Sequence, residues 1–140
     1  MTPDNINYNA EINYASVLDR IKSTTIDTIT IVGIIYLLSE ILNDMNNTSD
    51  TLRIILFIAI VMYEPIFITL NGTFGNYRSN IRIRKNNDTT KKLNFFQSLF
   101  RFVLKFSLGW LSLIFILLNN KGRALHDIFS GSVVIALEEE

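Results

Sequence analysis

Two long apolar stretches, residues 26–42 and 52–70, dominate this sequence, and each carries an acidic side chain, Asp27 and Glu64. Crossing the hydrocarbon core of a bilayer takes roughly 17–25 helical residues. The second stretch is long enough, and the first sits at the lower limit. A carboxylate inside such a span costs roughly 2.5–3.5 kcal/mol on insertion scales, so it faces a bundle interior and has a partner or a task. The polar run between the stretches (NDMNNTSD, residues 43–50) is short, which predicts an antiparallel helical hairpin.

The rest of the composition mostly excludes. A length of 140 residues suits one domain, read as a polar tail (1–13), a membrane domain (14–137) and an acidic end (138–140). Thirteen Lys+Arg balance thirteen Asp+Glu, so net charge gives no argument for nucleic acid. The chain has no Cys, which rules out disulfides, thiol catalysis and zinc–thiolate sites. One His leaves little material for a metal centre, and neither metal nor cofactor is expected. Residues 1–13 lack a basic leader, so the first apolar stretch is expected to stay as an anchor.

Asn13 is the expected N-cap of a first helix starting near Tyr14, with Val17, Leu18 and Ile21 on its apolar side. After the second stretch the character changes. Residues 71–75 (NGTFG) signal a turn. Residues 81–84 (IRIR) alternate like a short strand, and 85–88 (KNND) turn again. Arg78, Arg82, Arg84, Lys85, Lys91 and Lys92 crowd this loop, while residues 43–50 carry no Lys or Arg. With Arg20 and Lys22, the positive-inside rule puts the N-terminus and loop 71–94 in the cytoplasm of a multi-pass plasma-membrane protein. The loop is expected to meet anionic lipid headgroups. Nucleic acid is unsupported, because no aromatic residues interleave with these charges.

The third apolar region allows two readings. Lys91, Asn94, Ser98, Arg101 and Lys105 form a polar stripe opposite Phe95, Leu99, Phe102, Val103 and Phe106, the pattern of an interfacial helix. Residues 108–118 (LGWLSLIFILL) are too short to cross alone. Either one span covers about residues 100–118, with Arg101 and Lys105 snorkelling, or an interfacial helix breaks at 107–109 into a re-entrant half-helix. The second keeps Lys121 and Arg123 cytoplasmic, which the charge rule prefers. Residues 130–137 (SGSVVIAL) read as a strand that could pair with 81–84 if the tail is cytoplasmic.

Arg20 and Asp27 lie two turns apart on one helix face with Thr24 between them. Their separation of about 10 Å argues for a relay through Thr24 or another helix rather than a direct salt bridge. Glu64 lies at comparable depth, beside a Pro65 that removes a helical hydrogen bond. Two carboxylates and threonine hydroxyls at one depth could coordinate a small cation or pass a proton. The competing reading is that Asp27 and Glu64 simply neutralise Arg20, Arg101 or Lys105. His126-Asp127 offers an imidazole that could titrate near neutral pH, or a plain cap. With no Cys, no Ser and no metal cluster at recognisable spacing, nothing marks an enzyme. The run 71–75 lacks the Gly-Lys-Ser/Thr ending of a nucleotide loop.

These residues, in this order, resemble the RDD family of small bacterial membrane proteins. Arg20 and Asp27 match its arginine and first aspartate. His126-Asp127 followed by Ser130-Gly131-Ser132-Val133-Val134 matches its second. Gly72-x-Thr73-x-Gly75 and Ile81-Arg82-Ile83 match the stretch between. The resemblance covers residues 14–136. It departs at Asn76, where the family has Lys, and at Asn80, where it has Gly, although Asn tolerates positive φ. It implies a domain linked to transport of unidentified ligands, with sodium/proton exchange in some members and accessory-subunit roles in others.

The expected architecture is an all-α membrane domain: a transmembrane hairpin, a third span or re-entrant/interfacial helix, and a small cytoplasmic β element. Two or three helices enclose too little space for a pore, so transport would need a homo-oligomer or a membrane-protein partner. The alternative function is a non-transporting adaptor, supported by small size and the amphipathic helix at 91–106.

Overall fold

The computed structural model describes residues 12–45, 49–109, 111–120 and 122–137. The chain runs α1 (Val17–Asp44), α2 (Asp50–Leu70), α3 (Phe74–Arg78), β1 (Ile81–Lys85), α4 (Phe95–Leu108), α5 (Leu111–Leu118), α6 (Leu125–Ser130) and β2 (Ser132–Ala136).

Both expected long helices form, and both are long and apolar enough to cross a membrane. The 28 residues of α1 rise about 42 Å and the 21 of α2 about 32 Å. Their apolar side chains point away from the protein. Leu18 is 77% exposed and Phe57 67%, and Ile29, Val32, Tyr36, Leu37 and Ile58 are exposed as well. A water-soluble fold would bury such helices; these present the face that acyl chains cover.

The start of α1 differs from the expected Asn13 cap. Ser16 is the N-cap: its hydroxyl accepts the Asp19 N–H at 3.1 Å, and Asp19 accepts the Ser16 N–H at 3.3 Å. This reciprocal pairing outcompetes Asn13, whose carbonyl is taken by the Ala136 N–H at 2.8 Å. Tyr14 forms an isolated antiparallel bridge to Ile135 rather than a helical turn. The expected apolar side of α1 also turns outward: Leu18 and Ile21 are exposed, whereas Arg20 and Ser23 are buried.

The two strands pair antiparallel, with Ile83 opposite Val134, which joins the expected strand 81–84 to the chain's end. Residues 13–15 bond to the other edge of β2. Ile81, Ile83 and Val134 join Ala15, Ile68 and Leu93 in the buried apolar core. One sheet thus ties together the start of α1, the loop after α2 and the C-terminal segment. A small open sheet cannot sit in hydrocarbon with its edge groups unpaired, so all three lie on the same side of any membrane the helices cross.

The continuous third helix is not formed. Gly109, at φ +46, ends α4 in a conformation that β-carbon-bearing residues rarely adopt, and α5 restarts at Leu111. The polar stripe of α4 is not its water-facing side. Ser98 and Arg101 are buried against the neighbouring helices, while Phe106 is 87% exposed. The helix packs on α2 and α6, and α1 packs chiefly on α3.

The short α3 was not anticipated. Thr73 caps it, taking the Asn76 N–H at 3.3 Å. Gly75 lets it touch α1: a β-carbon there would run into the Ser23 carbonyl and sit 2.8 Å from the Asp27 carboxyl. Asn80 follows at φ +48, the positive value its place in the turn requires.

Candidate functional site

Where the sheet meets the near ends of α1, α2 and α4, polar side chains that the sequence scatters across the whole chain converge. Arg20 of α1, Arg101 of α4 and Asp127 of α6 form a buried triad. Arg20 Nη1 donates to Asp127 Oδ2, and Arg101 Nε donates to Oδ1 at 2.9 Å. Asp127 also accepts the Ala124 N–H at 3.2 Å, anchoring the first turn of α6. Burial alone would raise this carboxyl, but the Arg101 and Arg20 guanidinium groups overcome it and hold it well below the usual carboxylate range.

Arg101 extends the network to Glu64 at 3.3 Å, and Lys105 Nζ reaches both Glu64 oxygens at 2.8 Å. Glu64 therefore neutralises cations of α4, as the competing sequence reading had it. His126 sits beside the triad, with Nδ1 2.6 Å from the buried Ser112 hydroxyl. Burial first, and the Arg101 charge second, push its imidazole down to about 3, so it does not titrate near neutral pH as the sequence suggested.

Asp27 is held differently. It accepts the Thr73 hydroxyl at 2.6 Å, the Gly75 N–H at 2.8 Å and the Tyr63 hydroxyl at 3.2 Å. Each donor is neutral, and among the described residues Asp27 forms no ion pair. The Arg20–Asp27 relay through Thr24 is not made. Arg20 goes to Asp127 instead, and the Thr24 carbonyl accepts the Thr28 hydroxyl at 2.8 Å. The cause is Gly75, which brings the N-terminus of α3 onto Asp27 and supplies better-placed donors.

Many of these groups line one cavity of ≈ 340 Å³, among them Arg20, Ser23, Thr24, Asp27, Glu64, Thr73, Asn76, Arg101, Lys105 and His126, with Ile21, Ile68, Ile81, Ile83 and Val134 as its apolar wall, while Asp127 lies behind Arg20. Asp27 and Glu64 thus share one cavity. Tyr63, beside Glu64 in the chain, bonds Asp27 directly. Gly72, at φ +140, turns the chain from α2 into α3. Among the described residues no cluster of His, Asp and Glu could hold a metal ion.

Tyr63, Thr73, Asn76, Ser23 and Ser112 were not picked out from the sequence as members of the site. Ser23 left a signal one turn from Arg20 on the same face, Thr73 stood in the Gly72-x-Thr73-x-Gly75 match, and Asn76 stood as a departure from the family pattern. The others are single polar residues whose importance comes from which helix end meets which.

The fold and this cavity define a helical membrane-type domain, with two spanning-length helices pinned at one end by buried ion pairs. The chain belongs to the RDD family, which it matches over residues 14–131. The Arg20, Asp27 and Asp127 that carry the sequence resemblance all stand around the cavity, with Asp127 behind its Arg20 wall. No curated protein and no solved structure matches the chain.

Proposed function

We propose that this domain is a component of membrane transport for a small cation, a proton or a ligand coupled to one, and that it is not an enzyme. The observation that carries this reading is the solvation of Asp27. A cavity-lining carboxylate held only by neutral hydroxyl and amide donors can take up a proton or trade a donor for a cation without leaving a buried cation unpaired. Glu64, with Lys105 and Arg101, supplies the fixed charge opposite.

We infer a plasma-membrane location, with the N-terminus and the loop 71–94 in the cytoplasm and the C-terminal segment, paired to that loop in one sheet, beside them. The support is positional: Arg20, Lys22 and six basic residues of the loop gather at the sheet end, while the far turn has none. Exposed Lys91 and its neighbours then meet anionic headgroups. The outward apolar faces of α1 and α2 are covered by lipid and by a second copy or a membrane partner, which completes the pathway.

Proteoliposome flux measured for wild type, Asp27→Asn and Glu64→Gln tests the transport reading. Cation- or pH-driven flux in wild type that Asp27→Asn abolishes is the expected result. Equal leak in all three ends it. The second reading, a non-transporting adaptor, draws on the same uncovered faces of α1 and α2. It gains if flux is absent and membrane cross-linking through α1 captures a single larger complex.

A further inference from the structure

We propose that the cavity holds an oxyanion, a carboxylate or phosphate group, on the unused edge of Arg20. The assignment rests on reading this cavity as the domain's ligand site, and it names the chemistry of what binds there.

A guanidinium offers paired N–H groups along its Nε/Nη2 edge, spaced to meet two oxygens of one carboxylate or phosphate. Arg20 spends Nη1 on Asp127. Its Nε and Nη2 are buried and have no hydrogen-bond partner among the described residues. The side chain is 6% exposed and lines the cavity. Buried donors are almost always satisfied, and an arginine left with a whole bidentate edge unmet is an expensive exception.

A second donor on the same wall is in the same state. Asn76, 5% exposed, accepts the Ser23 hydroxyl on Oδ1 at 2.8 Å, which leaves Nδ2 buried and without a partner among the described residues. Ser23 and Arg20 are three residues apart on α1, so both donors belong to one stretch of the lining.

Both carboxylates that line the cavity are already occupied. Asp27 takes three donors, and Glu64 takes Lys105 and Arg101. Among the described residues the fully buried side-chain atoms of the lining without a partner are Arg20 Nε and Nη2 and Asn76 Nδ2, all donors, which selects an anion. Arg20, Arg101 and Lys105 are matched by Asp27, Glu64 and Asp127, so the selection rests on the unmet donors and not on net charge. The wall of Ile21, Ile68, Ile81, Ile83 and Val134 accommodates a small apolar body behind the anionic group. An oxyanion of this kind comes either free from solution or on a lipid headgroup.

The test uses the full chain, delipidated in maltoside micelles, and reads binding by calorimetry with inorganic phosphate in one arm and by native mass spectrometry with phosphatidylglycerol in the other. Two variants remove the donors with little change of shape. Arg20→Lys keeps a cation for Asp127 but lacks the edge. Asn76→Asp keeps the acceptor for Ser23 and replaces the donor with an oxygen. Saturable phosphate binding that weakens at least about tenfold in the variants identifies a free oxyanion. Retained phosphatidylglycerol that is lost in the same variants identifies a headgroup. Either result supports the site, and Asn76→Asp decides it should Arg20→Lys not fold. Absence of binding in both arms, or equal binding in wild type and Asn76→Asp, overturns it. Binding is read without a gradient, so its failure is separable from that of transport. Binding without flux removes the transport reading alone, and Asp27-dependent flux without binding removes the oxyanion alone.

Discussion

Asp27 and Glu64 line the same cavity from different helices, yet their surroundings are opposite in kind. Glu64 sits between two cations of α4, whereas Asp27 is wrapped by two hydroxyls and a backbone N–H. Neutralising Glu64 strands positive charge in a partly buried place. Neutralising Asp27 strands no charge, because its donors are neutral and two of them are hydroxyls that can rotate. Charge placed against charge fixes a structure; charge placed against dipoles can come and go. Asp127, between Arg20 and Arg101, extends the Glu64 pattern into the most buried ion pairs among the described residues.

That contrast ranks the expected effects of substitution. Asp127→Asn should be the most damaging, since it leaves two buried guanidinium groups without their carboxylate. A loss of about 3–5 kcal/mol is expected, read as a lowered unfolding midpoint in micelles. A near-wild-type midpoint would show the triad to be ornamental. Gly75→Ala comes next. Its β-carbon meets the Ser23 carbonyl and the Asp27 carboxyl, pushing α3 off α1 at a cost of at least about 1–3 kcal/mol. The same change withdraws the amide donor from Asp27, so any Asp27-dependent activity should fall with it. Ser112→Ala, which removes the hydroxyl beside His126, should cost about 1 kcal/mol.

Acid should act through the Asp127 side of the comparison. His126 is held neutral, with its pKa pushed from 6.5 to about 3, so below about pH 6.5 the unfolded chain binds a proton that the folded chain refuses. Stability should therefore fall as pH drops from 6.5 toward 3, and His126→Gln should flatten that slope. Asp127, depressed by the two arginines, adds a loss of the same sign at lower pH. A midpoint that does not move between pH 7 and 4 contradicts the assigned environment of His126.

The sequence displayed the membrane-crossing part well and the cavity poorly, for physical reasons. The spans at 26–42 and 52–70 are visible because the hydrophobic signal is local and continuous. The strand at 81–84 was legible from alternation, while its pairing with 130–137 was conditional on the side of the tail and the break at 107–109 was one of two readings. The shared face of Arg20 and Asp27 on α1 does turn inward. On α4 the interfacial reading would have left the polar stripe outside, and only the ion-pairing reading turned Arg101 in. In water the apolar side is buried, but in these helices Leu18 and Phe106 point out while Arg20 and Arg101 point in. The partner of Arg20 lies 107 residues away, where no spacing rule reaches. Asn76 stood out in the sequence only as a departure from the family pattern; its buried amide became visible once α3 was seen against α1.

The most direct measurement compares Asp27→Asn with Glu64→Gln, reading unfolding in micelles and flux in proteoliposomes on the same preparations. Asp27→Asn should stay within about 1–2 kcal/mol of wild type and lose flux, while Glu64→Gln should lose about 3 kcal/mol or more. If Asp27→Asn unfolds as readily as Glu64→Gln and wild-type flux equals that of empty vesicles, both carboxylates are structural and the cavity's proposed role is wrong.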